Sequence, residues 1–211
     1  MNLILLTLGD MIDKAFYGFD MWFFNLFGSI QSTVLTYFAK TFTGLGEPEF
    51  IIIVAVAGLV MCFFKKTRKF GLAIVFAVAI GTLITNVAVK PSVLRLRPYV
   101  TLSGNADYMS WYNGAGALTE SDYSFPSGHT TGAVEIAMAL FFCFKQDKKK
   151  IAYLFPFLAL GTACSRIYLM VHYASDVLFG VVVGVIAATL GYVIMNAIMK
   201  KIDKKHSATE L

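Results

Sequence analysis

Charged residues are scarce in this chain of 211 residues: only 15% are Asp, Glu, Lys or Arg, whereas 57% are hydrophobic. The mean hydropathy is +0.68. A soluble domain carries about 25% charged residues, so this composition argues against an ordinary soluble enzyme and indicates a membrane protein. Cysteine is rare as well. Cys62, Cys143 and Cys164 are scattered through apolar segments without any metal-binding or disulfide spacing, and we interpret them as small core residues.

The N-terminus lacks the charge order of a cleavable signal peptide. Its apolar residues 3–8 come before the first cation, Lys14, whereas a signal peptide places its cations ahead of its apolar region. We interpret residues 1–20 as an amphipathic helix at the membrane interface, with a short membrane-inserted segment as the alternative. No soluble second domain is evident, so residues 1–211 are expected to form a single domain.

Six apolar runs approach the roughly 20 residues that a helix needs to cross a bilayer. They cover about residues 22–42, 50–64, 70–89, 130–144, 151–171 and 177–199. The second run is short, and we expect it to extend back into Glu47-Pro48-Glu49, because proline and acids are favoured in the first turn of a helix. The sequence therefore predicts an all-α, polytopic membrane protein: a bundle of six transmembrane helices preceded by an interfacial helix.

Lysine and arginine are concentrated in three clusters, which follow the second, fourth and sixth runs. The clusters lie at residues 65–69, 145–150 and 200–205. Because cytoplasmic loops are enriched in these residues, we predict that all three clusters and both termini face the cytoplasm of a cell membrane. The same clusters account for the basic isoelectric point near 9.0. Anionic lipid headgroups explain them better than nucleic acid does, and no nucleic-acid partner is expected.

Four further cations fall near the opposite, outer end of the predicted spans: Lys90, Arg95, Arg97 and Arg166. Ionisable groups at membrane depth cost about 3 kcal/mol each. They could be compensated by snorkelling to the interface or by the acids of the outer segment, which are Asp107, Glu120 and Asp122. They could instead share a bound anion, which is the interpretation we favour.

Two short polar signatures accompany these cations. Pro126-Ser127-Gly128-His129 stands at the start of the fourth run, where the free amides of a helix start could bind phosphate. A simple helix cap formed by Ser127 is the alternative. The second signature is Ser165-Arg166 followed by His172 and Asp176, which are four residues apart, so the carboxylate can orient the imidazole on one helix face. Imidazoles, a carboxylate and cations together indicate phosphate-ester chemistry.

The three blocks together resemble the signature of the type 2 phosphatidic acid phosphatase superfamily. Its eleven fixed letters are all present in order: Lys90 with Arg97-Pro98, then Pro126-Ser127-Gly128-His129, then Ser165-Arg166 with His172 and Asp176. The resemblance implies that His172 is the nucleophile, that Asp176 orients it, and that His129 protonates the leaving oxygen. It also implies a phosphate-binding set made of Lys90, Arg97, Ser127, Gly128 and Arg166.

No metal or other cofactor is expected, since three side-chain cations supply the charge that Mg²⁺ would bring and oppose a further cation. The expected partners are the bilayer and a membrane lipid phosphate. The resemblance suggests undecaprenyl diphosphate, phosphatidylglycerol phosphate or phosphatidate, and an outer-face site favours the first. A phosphotransferase using the same phosphohistidine and a non-enzymatic phospholipid or anion carrier are the alternatives. The sequence does not determine the oligomeric state.

Three features have more than one interpretation, and a fourth has one. Arg95 is a fourth phosphate contact or a partner of the outer acids. Glu135, inside the fourth run, is a functional candidate, but pairing with Arg166 or protonation within the bundle is equally consistent with its position. The aromatic-rich segment 99–125 is a lid over the substrate or an inert connector. The glycines at 180 and 184 form a small-xxx-small pattern, which we attribute to close helix packing within one bundle.

Overall fold

The computed structural model describes residues 7–209, with side chains for residues 7–204. Over this range the chain is helical and contains no strand. The helices are α1 (Leu8–Ser29), α2 (Thr33–Thr43), α3 (Pro48–Met61), α4 (Arg68–Thr82), α5 (Lys90–Val93), α6 (Pro98–Thr101), α7 (Ala106–Ala115), α8 (Gly128–Gln146), α9 (Leu154–Tyr168) and α10 (Ala174–Thr209). A π-helical segment, Leu83–Val89, joins α4 to α5. The predicted all-α class is confirmed.

Three helical stretches are long and apolar enough to cross a membrane: Arg68–Thr101, Lys150–Tyr168 and Ala174–Lys204. Thr33–Gly46 and Pro48–Met61 meet the same test together, as a pair bent by 44°. Helix α8 is not in this set, because its first two turns carry polar residues such as His129 and Glu135. Six separate spans and an interfacial N-terminal helix therefore stay predictions.

The first predicted run, residues 22–42, is not one helix. Helix α1 ends at Ser29, and Ser32 starts α2 by accepting a hydrogen bond on Oγ from the amide of Leu35 at 3.3 Å. The second run does begin earlier than its apolar residues, as expected, since Pro48 is the first residue of α3. The polar residues between Ser29 and Ser32 thus separate the two helices, and Ser32 caps α2.

The three basic clusters lie at one end of the bundle. Lys69 forms an ion pair with Asp147, which joins the first two clusters. Phe70 and Met199 pack against the same buried apolar cluster, which brings the end of α10 to the same place. The signature residues lie at the opposite end, where α8 and α10 begin and α9 finishes.

Helix α1 lies along the signature end of the bundle. Gly9 rests on the backbone of Arg95, and an added Cβ there would lie 2.6 Å from Arg95 Cα. Further along, Asp20 accepts a hydrogen bond from the amide of Ser175 at 2.8 Å, and Phe24 packs edge to face on Tyr108.

The described chain therefore starts at the signature end and finishes at the basic end. That both termini lie on the cytoplasmic side of a membrane stays a prediction. Residues 1–6 of the predicted N-terminal helix lie outside the described residues.

Glycines allow α10 to approach α8 closely. A Cβ added at Gly184 would lie 2.7 Å from Cβ of Val134, and one added at Gly180 would lie 2.9 Å from the carbonyl oxygen of Ser127. The glycine pattern therefore does serve packing inside the bundle. At the end of this seam the amide of Ser127 donates to the carbonyl oxygen of Asp176 at 3.1 Å, so helix packing directly fixes the spacing of two signature blocks.

We predict that Gly184→Ala lowers the midpoint of thermal unfolding in detergent, because the added methyl group overpacks the seam at a cost of about 1–3 kcal/mol. Gly18→Ala is the matched control, since nothing lies within 4 Å of a Cβ at that position of α1. Alanine is a better helix former than glycine, so the control should unfold at the same or a higher temperature. An unchanged midpoint for Gly184→Ala would contradict the packing described here.

Candidate active site

The structure brings all eight sequence-predicted site residues to one end of the bundle. Lys90 begins α5, and Arg97 directly precedes α6. Ser127, Gly128 and His129 form the start of α8, Arg166 is in the last turn of α9, and His172 and Asp176 flank the start of α10. His172 and Asp176 are both 0% exposed. Residues that are distant in sequence are thus gathered into one buried cluster.

His172 is held in a single protonation and tautomeric state. Its Nε2 lies 2.8 Å from Nη1 of Arg97, and because a guanidinium can only donate, Nε2 must accept. The ring proton is therefore on Nδ1, which faces Oδ2 of Asp176 at 3.3 Å. Burial and then the positive charge of Arg97 hold the pKa of His172 well below its usual value. The ring is neutral, and its Nε2 lone pair faces the cationic site.

Asp176 is fixed by several donors besides His172. The amide of Tyr173 donates to Oδ2 at 3.0 Å, and the hydroxyl of Ser124 donates to the same oxygen. Nη1 of Arg95 bonds to Oδ1. With its carboxylate held from both sides, Asp176 can orient the imidazole of His172 and stabilise positive charge that develops on it.

Arg95 is the centre of a buried acidic cluster. Its Nε lies 2.8 Å from Oδ1 of Asp13, and its Nη2 lies 2.8 Å from Oδ2 of Asp20. The guanidinium also stacks on the ring of Tyr173 at 3.7 Å and reaches Asp176. The pairing of Arg95 with acids of the outer segment does not form, because Arg95 pairs with acids of α1 and α10 instead. It links α1 to Asp176.

The other three cations are paired with acids between α7 and α8. Asp122 bonds to both Lys90 and Arg97. Glu120 bonds to Arg97 at 2.9 Å and also to Arg166. Burial raises the pKa of Asp122, but the ion pairs with Lys90 and Arg97 outweigh it and hold that pKa below its ordinary value. These cations therefore pair with acids of the outer segment, which is one of the alternatives that the sequence allowed. The carboxylates of Glu120 and Asp122 fill the site formed by the three cations.

His129 faces this site from the start of α8. Ser127 caps the helix, with its Oγ accepting from the amide of Thr130 at 3.4 Å, so the capping role is confirmed. Nε2 of His129 lies 3.2 Å from Oε2 of Glu47, within ion-pair distance but outside hydrogen-bond geometry. A Cβ added at Gly128 would lie 3.4 Å from Nζ of Lys90, so the missing side chain lets the cation approach the helix start.

A cavity of 1230 Å³ opens in front of these groups. At one end it is lined by Lys90, His129 and Arg166. From there it continues between α3 and the end of α4, along α8, as far as Glu135. Its size and its mixed lining fit a lipid headgroup and the first part of the attached chain.

Much of segment 99–125 is folded. Helix α7 buries Tyr108, whose hydroxyl donates to the carbonyl oxygen of Met170, and Tyr112 stacks on Tyr99. The stretch that extends over the site is residues 116–123, which is largely exposed and carries both paired acids. Of the two interpretations of segment 99–125, the lid applies only to residues 116–123, and it stays a prediction.

Sequence reasoning missed several residues of the site. Asp20 had a usable signal, because an acid within an apolar stretch is costly without a partner. Glu47 was interpreted only as a helix start, and Ser124 lies outside every signature block. Thr43, which accepts from Nη1 of Arg166 at 2.6 Å, carries no sequence signal. Among the described residues, no three His, Cys, Asp or Glu side chains are grouped as a metal site.

Two curated proteins are similar to this chain in sequence. A lipid A 4'-phosphatase of Porphyromonas gingivalis is 31% identical over 145 residues, which cover 67% of this chain and 59% of that protein, so the match spans about three fifths of the relative. Phosphatidylglycerophosphatase B of Bacillus subtilis is 30% identical over 152 residues, which cover 68% of this chain and 67% of that protein.

Similarity also extends to a solved structure and to a family description. The crystal structure of a transmembrane PAP2 type phosphatidylglycerolphosphate phosphatase from Bacillus subtilis superposes with a TM-score of 0.69, at 25% identity, over 92% of both chains. Residues 70–200 match the PAP2 superfamily, and this range includes all three signature blocks. Since the match covers more than half of the sequence, the chain belongs to the PAP2 superfamily.

Proposed function

We propose that this protein is an integral-membrane lipid phosphatase that hydrolyses a phosphate or diphosphate ester through a phosphohistidine. The observation that carries the proposal is the neutral His172, whose Nε2 faces Arg97. Arg97 shares Glu120 and Asp122 with Lys90 and Arg166, and these four partners line the cavity. A nucleophile surrounded by cations is what transfer of a phosphoryl group requires. The names of the relatives, a lipid A 4'-phosphatase and a phosphatidylglycerophosphatase, support a lipid phosphate as substrate.

In the first step, the phosphoryl oxygens replace the carboxylates of Glu120 and Asp122 on the three cations. Nε2 of His172 attacks phosphorus, the bond from phosphorus to the leaving oxygen breaks, and protonated His129 gives its proton to that oxygen. Asp176 stabilises the positive charge on His172. In the second step, His129 takes a proton from water, the water oxygen attacks phosphorus, and the phosphorus–nitrogen bond breaks to release phosphate and neutral His172.

The proposed chemistry does not use a metal ion. Lys90, Arg97 and Arg166 converge on the site that two carboxylates now fill, and they supply the positive charge that divalent ions provide in other phosphoryl transfers. The start of α8, where Gly128 lies beside Lys90, adds the partial positive charge of a helix N-terminus. Hydrolysis is therefore expected to continue when divalent ions are removed.

We place the basic end of the bundle in the cytoplasm and the site at the extracytoplasmic face of a cell membrane, because lysine and arginine favour the cytoplasmic side. Helix α1 would then lie at the outer surface, where its exposed Tyr17, Trp22 and Leu26 suit the headgroup region. The substrate keeps its tail in the bilayer. Undecaprenyl diphosphate, phosphatidylglycerol phosphate and phosphatidate all meet this requirement.

Two other functions use the same geometry. A phosphotransferase would pass the phosphoryl group of His172 to an alcohol instead of water, and added acceptor alcohol would then divert phosphate into a new ester. A carrier would bind the anion without cleaving it, and the protein would release no phosphate. The orientation of His172 by Asp176 favours chemistry over binding alone, since a carrier has no need of an aligned nucleophile.

We predict that His172→Ala lowers phosphate release from lipid phosphates in detergent with EDTA by at least about 1000-fold, because the nucleophile is removed. The matched control is the third histidine, His206→Ala, which should keep wild-type activity. Equal activity of His172→Ala and the wild type would contradict the mechanism. Loss of wild-type activity in EDTA would contradict metal independence.

We predict that Arg95→Lys lowers kcat by about 10–100-fold and leaves KM nearly unchanged, because lysine cannot hold Asp13, Asp20 and Asp176 at once and His172 loses its alignment. Steady-state kinetics on the best substrate measure the two constants. A rise in KM at constant kcat would show instead that Arg95 binds the phosphate.

We predict that Asp122→Asn lowers the inhibition constant of inorganic phosphate about two- to fivefold, because the anion no longer competes with a partly exposed carboxylate for Lys90 and Arg97. Asp107→Asn, an exposed acid of α7, is the control and should leave the constant unchanged. An equal or higher inhibition constant in Asp122→Asn would contradict this competition. It would mean that the ion pairs position Lys90 and Arg97 for the phosphate.

A further inference from the structure

Glu135 is a carboxylic acid without a partner in the middle of α8. It is 1% exposed, and its Oε2 makes no hydrogen bond to any described residue. The pairing with Arg166 that the sequence allowed does not form, since Arg166 bonds to Thr43 and Glu120. An acid at membrane depth costs on the order of 3 kcal/mol, so its presence requires a compensating interaction.

The surroundings are shaped around this carboxyl group. It lies on Gly81 of α4, where any Cβ would collide with Oε2. Gly128, Thr131 and Glu135 follow one another at helical spacing on α8, and all three line the same cavity. Glu135 stands six residues beyond His129, which is about 9 Å further into the bundle.

The facing wall combines polar and apolar groups. Thr82, at the end of α4, and Thr85 and Asn86, in the π-helical segment, line the cavity together with Ile51 and Ile52 of α3. Such irregular helical turns occur frequently at functional sites. The inner part of the cavity is thus a polar pocket within an apolar passage, continuous with the cationic end.

We propose that Glu135 determines specificity by accepting a hydrogen bond from the leaving alcohol of the substrate. The assignment rests on the proposed function, in which His129 protonates the leaving oxygen at the mouth of this pocket. The alcohol bound there carries a hydroxyl or an amide N–H several bonds from the scissile phosphate, as a glycerol or an acylated amino sugar does. The apolar chain of a polyprenyl diphosphate lacks such a donor.

The test compares matched pairs of substrates. The hydroxyl pair is phosphatidylglycerol phosphate and its analogue without the hydroxyl on the central carbon of the phosphorylated glycerol. The amide pair is a phosphorylated N-acylglucosamine lipid and its ester-linked analogue. Wild-type kcat/KM should favour the donor-bearing member of at least one pair by about tenfold, and the pair that shows the preference identifies the donor.

Glu135→Leu should abolish that preference, whereas Glu135→Gln should retain part of it because its amide oxygen still accepts. Glu49→Gln, which makes the same amide substitution at an exposed position on the cavity wall, should leave the preference intact. A loss shared equally by all substrates, or no preference in either pair, would overturn the proposal.

Binding separates this inference from the proposed function. Dissociation constants for the same pairs are measured on His172→Ala protein, with and without Glu135→Leu, so that no turnover is needed. A donor preference that depends on Glu135 supports the pocket even if the wild type releases no phosphate, which would overturn only the phosphatase function. Equal affinities within both pairs would overturn the pocket whatever the activity.

Discussion

Four cations, Lys90, Arg95, Arg97 and Arg166, are buried at one end of an apolar bundle, and each is paired with a carboxylate. Burying such charges without partners would cost several kcal/mol per ion, so the pairing is a condition for the fold as well as for the site. It also explains why helices distant in sequence meet at this end. Arg95 joins acids of α1 and α10, and Glu120 and Asp122 of the segment before α8 join Lys90, Arg97 and Arg166.

The ion pairs fall into two groups that differ in exposure. Around Arg95, the side chains of Asp20 and Asp176 are 3% and 0% exposed, and these pairs are permanent parts of the structure. Around the other cations, the side chains of Glu120 and Asp122 are 21% and 48% exposed. In the proposed function, an incoming phosphate displaces the second group without disturbing the first.

The sequence predicted which residues come together better than it predicted where the helices begin and end. Short signatures with fixed spacing name the eight residues that the structure gathers, and the roles of these residues stay predictions. The bend between α2 and α3 and the position of α1 depend on contacts that leave no periodic pattern, such as the fit of Gly9 against Arg95. For the same reason the role of Arg95 was not predictable, since its partners lie about 80 residues away on both sides.

Glu135 shows the limit of sequence reasoning in another way. Its position inside an apolar run marks it as unusual, but only the structure shows that it has no partner and faces the cavity. Glu135, which lies deep in the bundle without a partner among the described residues, and the ion pairs around Lys90, Arg97 and Arg166 near its surface imply different functions. In the two proposals, the ion-paired cluster binds the phosphate that all the substrates share, and Glu135 distinguishes the alcohols attached to it.

The most direct test of the central claim is to quench the reaction of a ³²P-labelled lipid phosphate within milliseconds and map the label on the protein. Transfer to His172 predicts a phosphate that is stable in alkali, labile in acid and carried by the peptide that contains His172. Turnover without any labelled protein, or with an acid-stable label on another residue, would contradict the claim that the buried cations serve phosphoryl transfer to this histidine.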